Sequence, residues 1–221
     1  MTRRITVTWP DPQPFRSRGG RPIRLLAASD EPDPALDHAS NRASLGPIDA
    51  IVGCGDLEPD WLAFLGDAFD APLAYVVGNH DRGMSWAPTS HIPAPLASGS
   101  IGRVAGLTVV ALPWPSAGTL GNVRDEGAAW WQTLGAAARL LVRRGPLLFV
   151  SHVPPRGAGD GPDAYHRGFN GYRRLLDWKR PPLWLHGHVT TASVPELRVE
   201  VGRTTLVNVT GSVLVEVLAP A

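Results

Sequence analysis

The chain has 221 residues, 43% of them hydrophobic and 19% charged, with a formal net charge of +1. That length and mix fit one globular domain with a real core, and the charge gives no global field toward nucleic acid or an anionic membrane. The single cysteine, Cys54, excludes an intramolecular disulfide framework, and no run of about 18 apolar residues is present to span a bilayer. A reducing, cytoplasmic address is the expectation. Arg3-Arg4 resembles the start of a twin-arginine signal, but ITVTWPDPQPF after it has neither an apolar segment nor a small-residue cleavage site.

In chain order, residues 1–22 are Pro- and Arg-rich and read as a surface extension, within which ITVTW (5–9) alternates as an edge strand would. Apolar runs follow at RLLAAS (24–29), AIVGCG (50–55), LAYVVG (73–78), LTVVALP (107–113), PLLFVSH (146–152) and PLWLHGH (182–188). Helical spacing separates them, notably from Glu58 to Phe69 and from Glu126 to Arg143. Strands alternating with helices indicate an α/β fold. From Glu196 the pattern changes to ELRVEVGRTTLVNVTGSVLVEVL, cut by Gly202 and Gly211, which reads as an antiparallel meander. A second sheet, or an antiparallel edge on the first, is implied.

Each main strand ends in a polar residue beside a turn former: Asp30, Asp56, Asn79-His80-Asp81, His152 and His188. Ligands of open α/β sheets sit at the carboxyl ends of strands, so these side chains are expected to share one crevice. Carboxylate, amide oxygen and imidazole suit a divalent first-row metal. Singly, each has a plain structural explanation. Asp30 serves as an N-cap or turn residue, Asn79-His80-Asp81 as a turn, His152 as a satisfied core histidine and Cys54 as a small buried residue. Five strand ends offering ligand-type residues together are not accounted for by turn chemistry.

The ordered set SD (29–30), GD (55–56), GNHD (78–81), SH (151–152) and GH (187–188) resembles the calcineurin-like metallophosphoesterase superfamily, from about Arg24 to the C-terminus. The resemblance implies a four-layer αββα sandwich with two central mixed sheets over residues 23–221. It also implies a dinuclear metal centre acting on phosphate monoesters, diesters or pyrophosphate-linked compounds. Carried over by position, Asp56 resembles the carboxylate bridging both metals, and Asn79, His152 and His188 the other protein ligands of the second metal. Asp30 matches a ligand of the first. His80 corresponds to the family's catalytic histidine, which meets the phosphate and protonates or stabilises the leaving oxygen, with Asp81 orienting its imidazole. A metal-bound hydroxide would attack phosphorus in line.

Two departures fall on the first metal. The family's Asp-x-His reads Asp30-Glu31-Pro32 here, and its Gly-His-x-His reads Gly187-His188-Val189-Thr190. Three outcomes stand open. Replacement ligands come from Glu31, Asp33, Asp37 or His38, or from His186, two residues before His188; or one metal is held tightly and the first site is weak; or the fold is kept for binding without turnover. More carboxylate and less imidazole favours Mn2+ or Fe2+ over Zn2+, with one or two ions per chain. The retained His80 and second-metal set favour the hydrolase.

The long Gly/Pro-rich loop PPRGAGDGPDAYHRGF (154–169) reads as a functional lid, with Arg156, His166 and Arg167 as candidates for a phosphate, alongside Arg82 after GNHD. Solvated loop charge is the competing explanation. Trp86 and Trp114 lie in loops near strand ends, where packing is the simpler role and nucleobase stacking the alternative. The expected activity is a metal-dependent phosphoesterase acting on mono- or diesters of a small metabolite or nucleotide. The alternative is a non-catalytic binding protein with a degenerate first metal site. A small phosphorylated substrate is the expected partner, and no basic track points to nucleic acid.

Overall fold

The computed structural model describes residues 2–81, 92–115, 123–192 and 194–220. Two mixed sheets face each other. The first runs in the order β1 (Arg3–Thr8), β11 (Gly211–Leu218), β2 (Ile23–Ser29), β3 (Ala50–Cys54), β4 (Leu73–Val76). The second runs β5 (Ile101–Val104), β6 (Leu107–Leu112), β7 (Leu148–Ser151), β8 (Leu183–His186), β10 (Thr204–Asn208), β9 (Arg198–Val201).

Period-2 alternation explains the layering, because successive strand residues point to opposite faces. Leu25, Ala27, Val52, Cys54 and Val76 meet Val109, Val150, Leu185 and Val207 in the core between the sheets. Leu26, Ala28, Ile51 and Tyr75 point outward, where α1 (Ala39–Leu45) and α2 (Pro59–Phe69) cover them with Leu45, Leu62 and Leu65. On the second sheet, Val110, Phe149 and Trp184 are covered by α3 (Glu126–Leu140) and α4 (Asn170–Lys179). Strands buried on both faces read as continuous apolar runs, which is why AIVGC and LLFVS were visible in the sequence. The result is the four-layer αββα sandwich.

Helix boundaries follow local chemistry. Pro59 opens α2 at a position where its missing N–H costs nothing, and Asp70 closes it in the left-handed conformation. The Asp125 carboxylate caps α3 by accepting from Ala128 N–H at 3.0 Å.

Three local expectations change. Residues 3–18 are not an extension: β1 pairs in parallel with β11, and Val7, Trp9 and Phe15 are buried in the inter-sheet core. The C-terminal meander holds only for β9 and β10, which pair antiparallel. Beyond Asn208 the chain crosses to the other sheet, where β11 lies antiparallel to β2. The missed helix α4 directly follows the 154–169 loop. Among the described residues, no helix is long and apolar enough to cross a membrane.

Strands β2, β3 and β4 are parallel neighbours, as are β6, β7 and β8. Their carboxyl ends therefore lie along one edge of the sandwich, and that geometry brings distant motifs together.

Candidate metal centre

The turns leaving these strands are strained in a consistent way. Asp30, Asp56 and His188 have φ of +62°, +55° and +66°, a region that non-glycine residues rarely adopt. Such outliers persist where surrounding structure fixes them, and here each re-aims a polar side chain at the gap between the sheets. Gly78 is forced by the same crowding. A Cβ there would lie 2.6 Å from Asp56 Cγ and overlap its carboxylate oxygen.

Hydrogen bonds fix which atoms face inward. The ring of fully buried His152 places Nδ1 2.8 Å from the Cys54 carbonyl, which only accepts, so Nδ1 carries the hydrogen and Nε2 faces the gap. His188 is set the opposite way round: Nε2 donates to the Tyr165 carbonyl at 3.0 Å and Nδ1 turns inward. Asn79 donates from Nδ2 to the Tyr165 hydroxyl at 2.8 Å, leaving its Oδ1 inward. Around His152 Nε2 then lie Asn79 Oδ1 at 2.9 Å, Asp56 Oδ2 at 3.2 Å and His188 Nδ1 at 3.2 Å.

With His152 neutral, the lone pairs of Asn79 Oδ1, Asp56 Oδ2 and His188 Nδ1 face that of His152 Nε2 with no hydrogen between them. Such an arrangement needs a positive charge beside Nε2. In the metal-free protein a proton fills that role: burial pushes the His152 pKa down, but the Asp56 hydrogen bond and the Asp30 and Asp56 charges outweigh it and raise the value to about 9. His188, buried and next to His152, is lowered to about 3 and is neutral. The carboxylates of Asp30 and Asp56 give this gap the charge and the donor atoms that could hold a cation. Asp30, Asp56 and His152 offer ligand atoms all within 4.8 Å of one another.

A bound cation must displace the His152 proton. Its raised value means that the stabilisation from the protonated form is present in full below about 6.5, the ordinary histidine value, and is lost as pH rises through about 9. Affinity for Mn2+ is therefore expected to tighten by close to tenfold per pH unit up to about pH 9 and then level off. Calorimetric titration in two buffers of different ionisation enthalpy would count the released proton.

A family model of calcineurin-like phosphoesterases matches residues 40–191, more than half of the chain. The chain belongs to the calcineurin-like phosphoesterase family. Solved structures of this fold each align over 86% of the chain. One has a TM-score of 0.60 at 14% identity and is covered over 91% of its own length. TT1561 of Thermus thermophilus gives 0.57 at 17% over 90%. A candidate 5'-nucleotidase from Staphylococcus aureus, in complex with alpha-ketoglutarate, gives 0.52 at 10% over 49%. At such identities the likeness is one of fold. No curated protein matches the sequence.

The four facing atoms belong to the residues expected from the sequence to hold the second metal. The side expected for the first metal is sparser. Asp30 is there, its Oδ2 accepting from His188 N–H at 2.9 Å and from the Thr210 hydroxyl at 3.1 Å. The candidate replacements are not brought in. Glu31, Asp37 and His38 are exposed, while Asp33 caps the turn at Pro34–Asp37 and takes the hydroxyls of Thr2 and Ser212. His186 is buried, its Nδ1 donating to Gly187 O at 3.2 Å and its Nε2 edge packed on Gly159. Burial lowers its pKa to about 4.

His80 is exposed at the mouth, its N–H donating to Asp56 Oδ1 at 2.8 Å and its Nε2 3.2 Å from the Tyr165 hydroxyl. Asp81 departs from its expected contact. Its Oδ2 does not meet the His80 ring but accepts from Asp56 N–H at 2.8 Å and Gly78 N–H at 2.7 Å, tying the ends of β3 and β4 together. A carboxylate three residues beyond the glycine reaches back to its own turn more readily than to the preceding exposed ring.

On the 154–169 loop, the ring of His166 lies 5.6 Å from that of His188 and is held by Asp163 at 2.7 Å. Arg167 gives its guanidinium to the Pro162 carbonyl at 3.2 Å, and Arg156 pairs through its backbone with Phe169 at 3.1 Å. Trp114 is buried against His152 and His188, so packing is its role. Arg82 and Trp86 lie outside the described residues. Tyr165 and Thr210 touch the site and were not singled out in the sequence; Tyr165 had only its place in the lid-like loop to mark it.

Proposed function

We propose that this chain is a metal-dependent phosphoesterase hydrolysing mono- or diesters of a small phosphorylated metabolite or nucleotide. The observation that carries this reading is the convergence of Asp56 Oδ2, Asn79 Oδ1, His152 Nε2 and His188 Nδ1 beside an exposed His80. Those four residues would hold one cation tightly, with Asp30 alongside. Two imidazoles, an amide oxygen and carboxylates suit Mn2+ or Fe2+, with Zn2+ as the alternative. Such an ion supplies Lewis acidity toward a phosphoryl oxygen and lowers the pKa of a bound water.

The chain's own residues do the rest. Asp56 anchors both the ligand set and the His80 backbone, so the imidazole is registered to the reacting phosphorus. As an attacking water oxygen bonds to phosphorus and the P–O bond to the leaving group breaks, His80 gives the proton on its Nδ1 to the leaving oxygen, its Nε2 being held by the Tyr165 hydroxyl. Asp81 keeps the two turns in step through their backbone N–H groups.

The reading is tested with bis(p-nitrophenyl) phosphate and p-nitrophenyl phosphate in the presence of Mn2+. Turnover is expected, and His80→Ala should lower kcat by about 100- to 10,000-fold, the usual range for a general acid, with metal binding intact. Failure of every divalent ion on several ester types would leave the second reading, a non-catalytic binding protein. That reading draws on the loss of both first-metal histidines at Pro32 and Thr190.

A further inference from the structure

Tyr165 belongs to the 154–169 loop, and an Asx turn aims it. The Asp163 Oδ1 accepts from Tyr165 N–H at 2.9 Å and from His166 N–H at 3.0 Å, which folds the loop tip back over the mouth of the centre. Tyr165 then makes three contacts with site residues. Its carbonyl takes His188 Nε2–H at 3.0 Å, and its hydroxyl lies 2.8 Å from Asn79 Nδ2 and 3.2 Å from His80 Nε2. Yet the residue is 42% exposed, so core packing does not explain its placement.

These hydrogen bonds have a direction. An Asn side chain can present either its oxygen or its NH2 to the centre, and only the oxygen binds a cation. The Tyr165 hydroxyl has one hydrogen. When that hydrogen goes to the lone pair of His80 Nε2, only oxygen lone pairs remain for Asn79, which must then donate Nδ2–H outward and turn Oδ1 inward. With the His80 hydrogen on Nδ1, the amide's orientation and the imidazole's position are set by one phenol.

We propose that Tyr165 is a positioning residue that acts through Asn79 and His80, so that the 154–169 loop sets both cation affinity and the placement of the acid. The proposal rests on the phosphoesterase reading above and adds a residue to it. Partners that orient metal ligands typically change affinity by about 10- to 100-fold when lost.

Tyr165→Phe keeps the ring and the carbonyl bond to His188 and removes only the hydroxyl. Titrated calorimetrically with Mn2+, it is expected to bind at least about tenfold more weakly than the unaltered protein, with the metal-free melting temperature unchanged. In the Asn79→Ala background the same change should have no further effect on affinity, because its route is gone. Where turnover is measured, kcat should fall more than KM rises. Equal Mn2+ affinity of Tyr165→Phe and the unaltered protein would overturn the proposal while leaving the phosphoesterase reading standing. An equal loss in the Asn79→Ala background would overturn the route. Binding of none of Mn2+, Fe2+ and Zn2+ by the unaltered protein would overturn both.

Discussion

Asp56→Asn is expected to abolish metal binding and ester turnover together while leaving the chain folded. Asparagine has the shape of aspartate and can still accept the His80 N–H that Asp56 Oδ1 holds at 2.8 Å. The other end of the side chain changes character. Where Oδ2 stands 3.2 Å from His152 Nε2, an amide NH2 would donate into that lone pair and place a hydrogen at the centre of the ligand set. One negative charge is lost as well, so His152 no longer holds its proton up to about 9. Groups that merely orient ligands cost about 10- to 100-fold in affinity when removed, so loss of a direct ligand should exceed the upper figure. Thermal melting makes the cleanest readout. A ligand at about 100 times its Kd stabilises by about 2.7 kcal/mol, a shift expected for the unaltered protein with Mn2+ and absent in the variant. A variant that still binds one ion per chain at unchanged affinity would mean the cation sits elsewhere.

Gly187→Ala is expected to be the most disruptive single-methyl change. Gly187 follows β8 in one sheet, and Ser29 ends β2 in the other. A Cβ on Gly187 would lie 2.6 Å from Ser29 Cβ and overlap both Ser29 Oγ and Asp30 Oδ2. Ser29 cannot step aside, because it is fully buried and its hydroxyl is held by the carbonyls of Cys54 and Gly55 at 3.1 and 3.0 Å. Relief requires the sheets to separate at the edge where they jointly build the site. Overpacking of this kind costs typically about 1–3 kcal/mol, and the rigid surroundings place this case at the upper end. At about 2–4 °C per kcal/mol for a domain of this size, the melting temperature should fall by roughly 6–12 °C. Metal affinity should drop with it, since His188 N–H and Asp30 are bonded across the gap at 2.9 Å. Adding Ser29→Ala removes the Oγ clash and should recover part of the loss; no recovery would place the damage outside this contact.

Much of the fold was legible because its causes are local or periodic. Runs such as AIVGC and LLFVS are apolar throughout since each strand is covered on both faces, and GNHD stands out because a glycine and three polar residues follow directly on a buried strand. The role of β1 was not legible. An alternating stretch at a terminus looks alike whether it lies at a surface or pairs with residues 213–218, and only the pairing with β11 decides. The C-terminal strands failed similarly: alternation gives strand character but not which sheet receives each strand.

For the site, the sequence by itself determined the chemical inventory: Asp30, Asp56, Asn79, His80, His152 and His188 at strand ends, and histidines absent at positions 32 and 190. Residue identity fixes which donor atoms exist. The tertiary structure decided how they face. That Nε2 of His152 but Nδ1 of His188 points inward depends on the carbonyls of Cys54 and Tyr165 behind them, groups every residue carries and no motif marks. Likewise, none of Glu31, Asp33, Asp37, His38 or His186 could be set aside until exposure, capping and burial were known. A cation is held by converging lone pairs, and convergence is a property of positions in space that the order of residues along the chain does not contain.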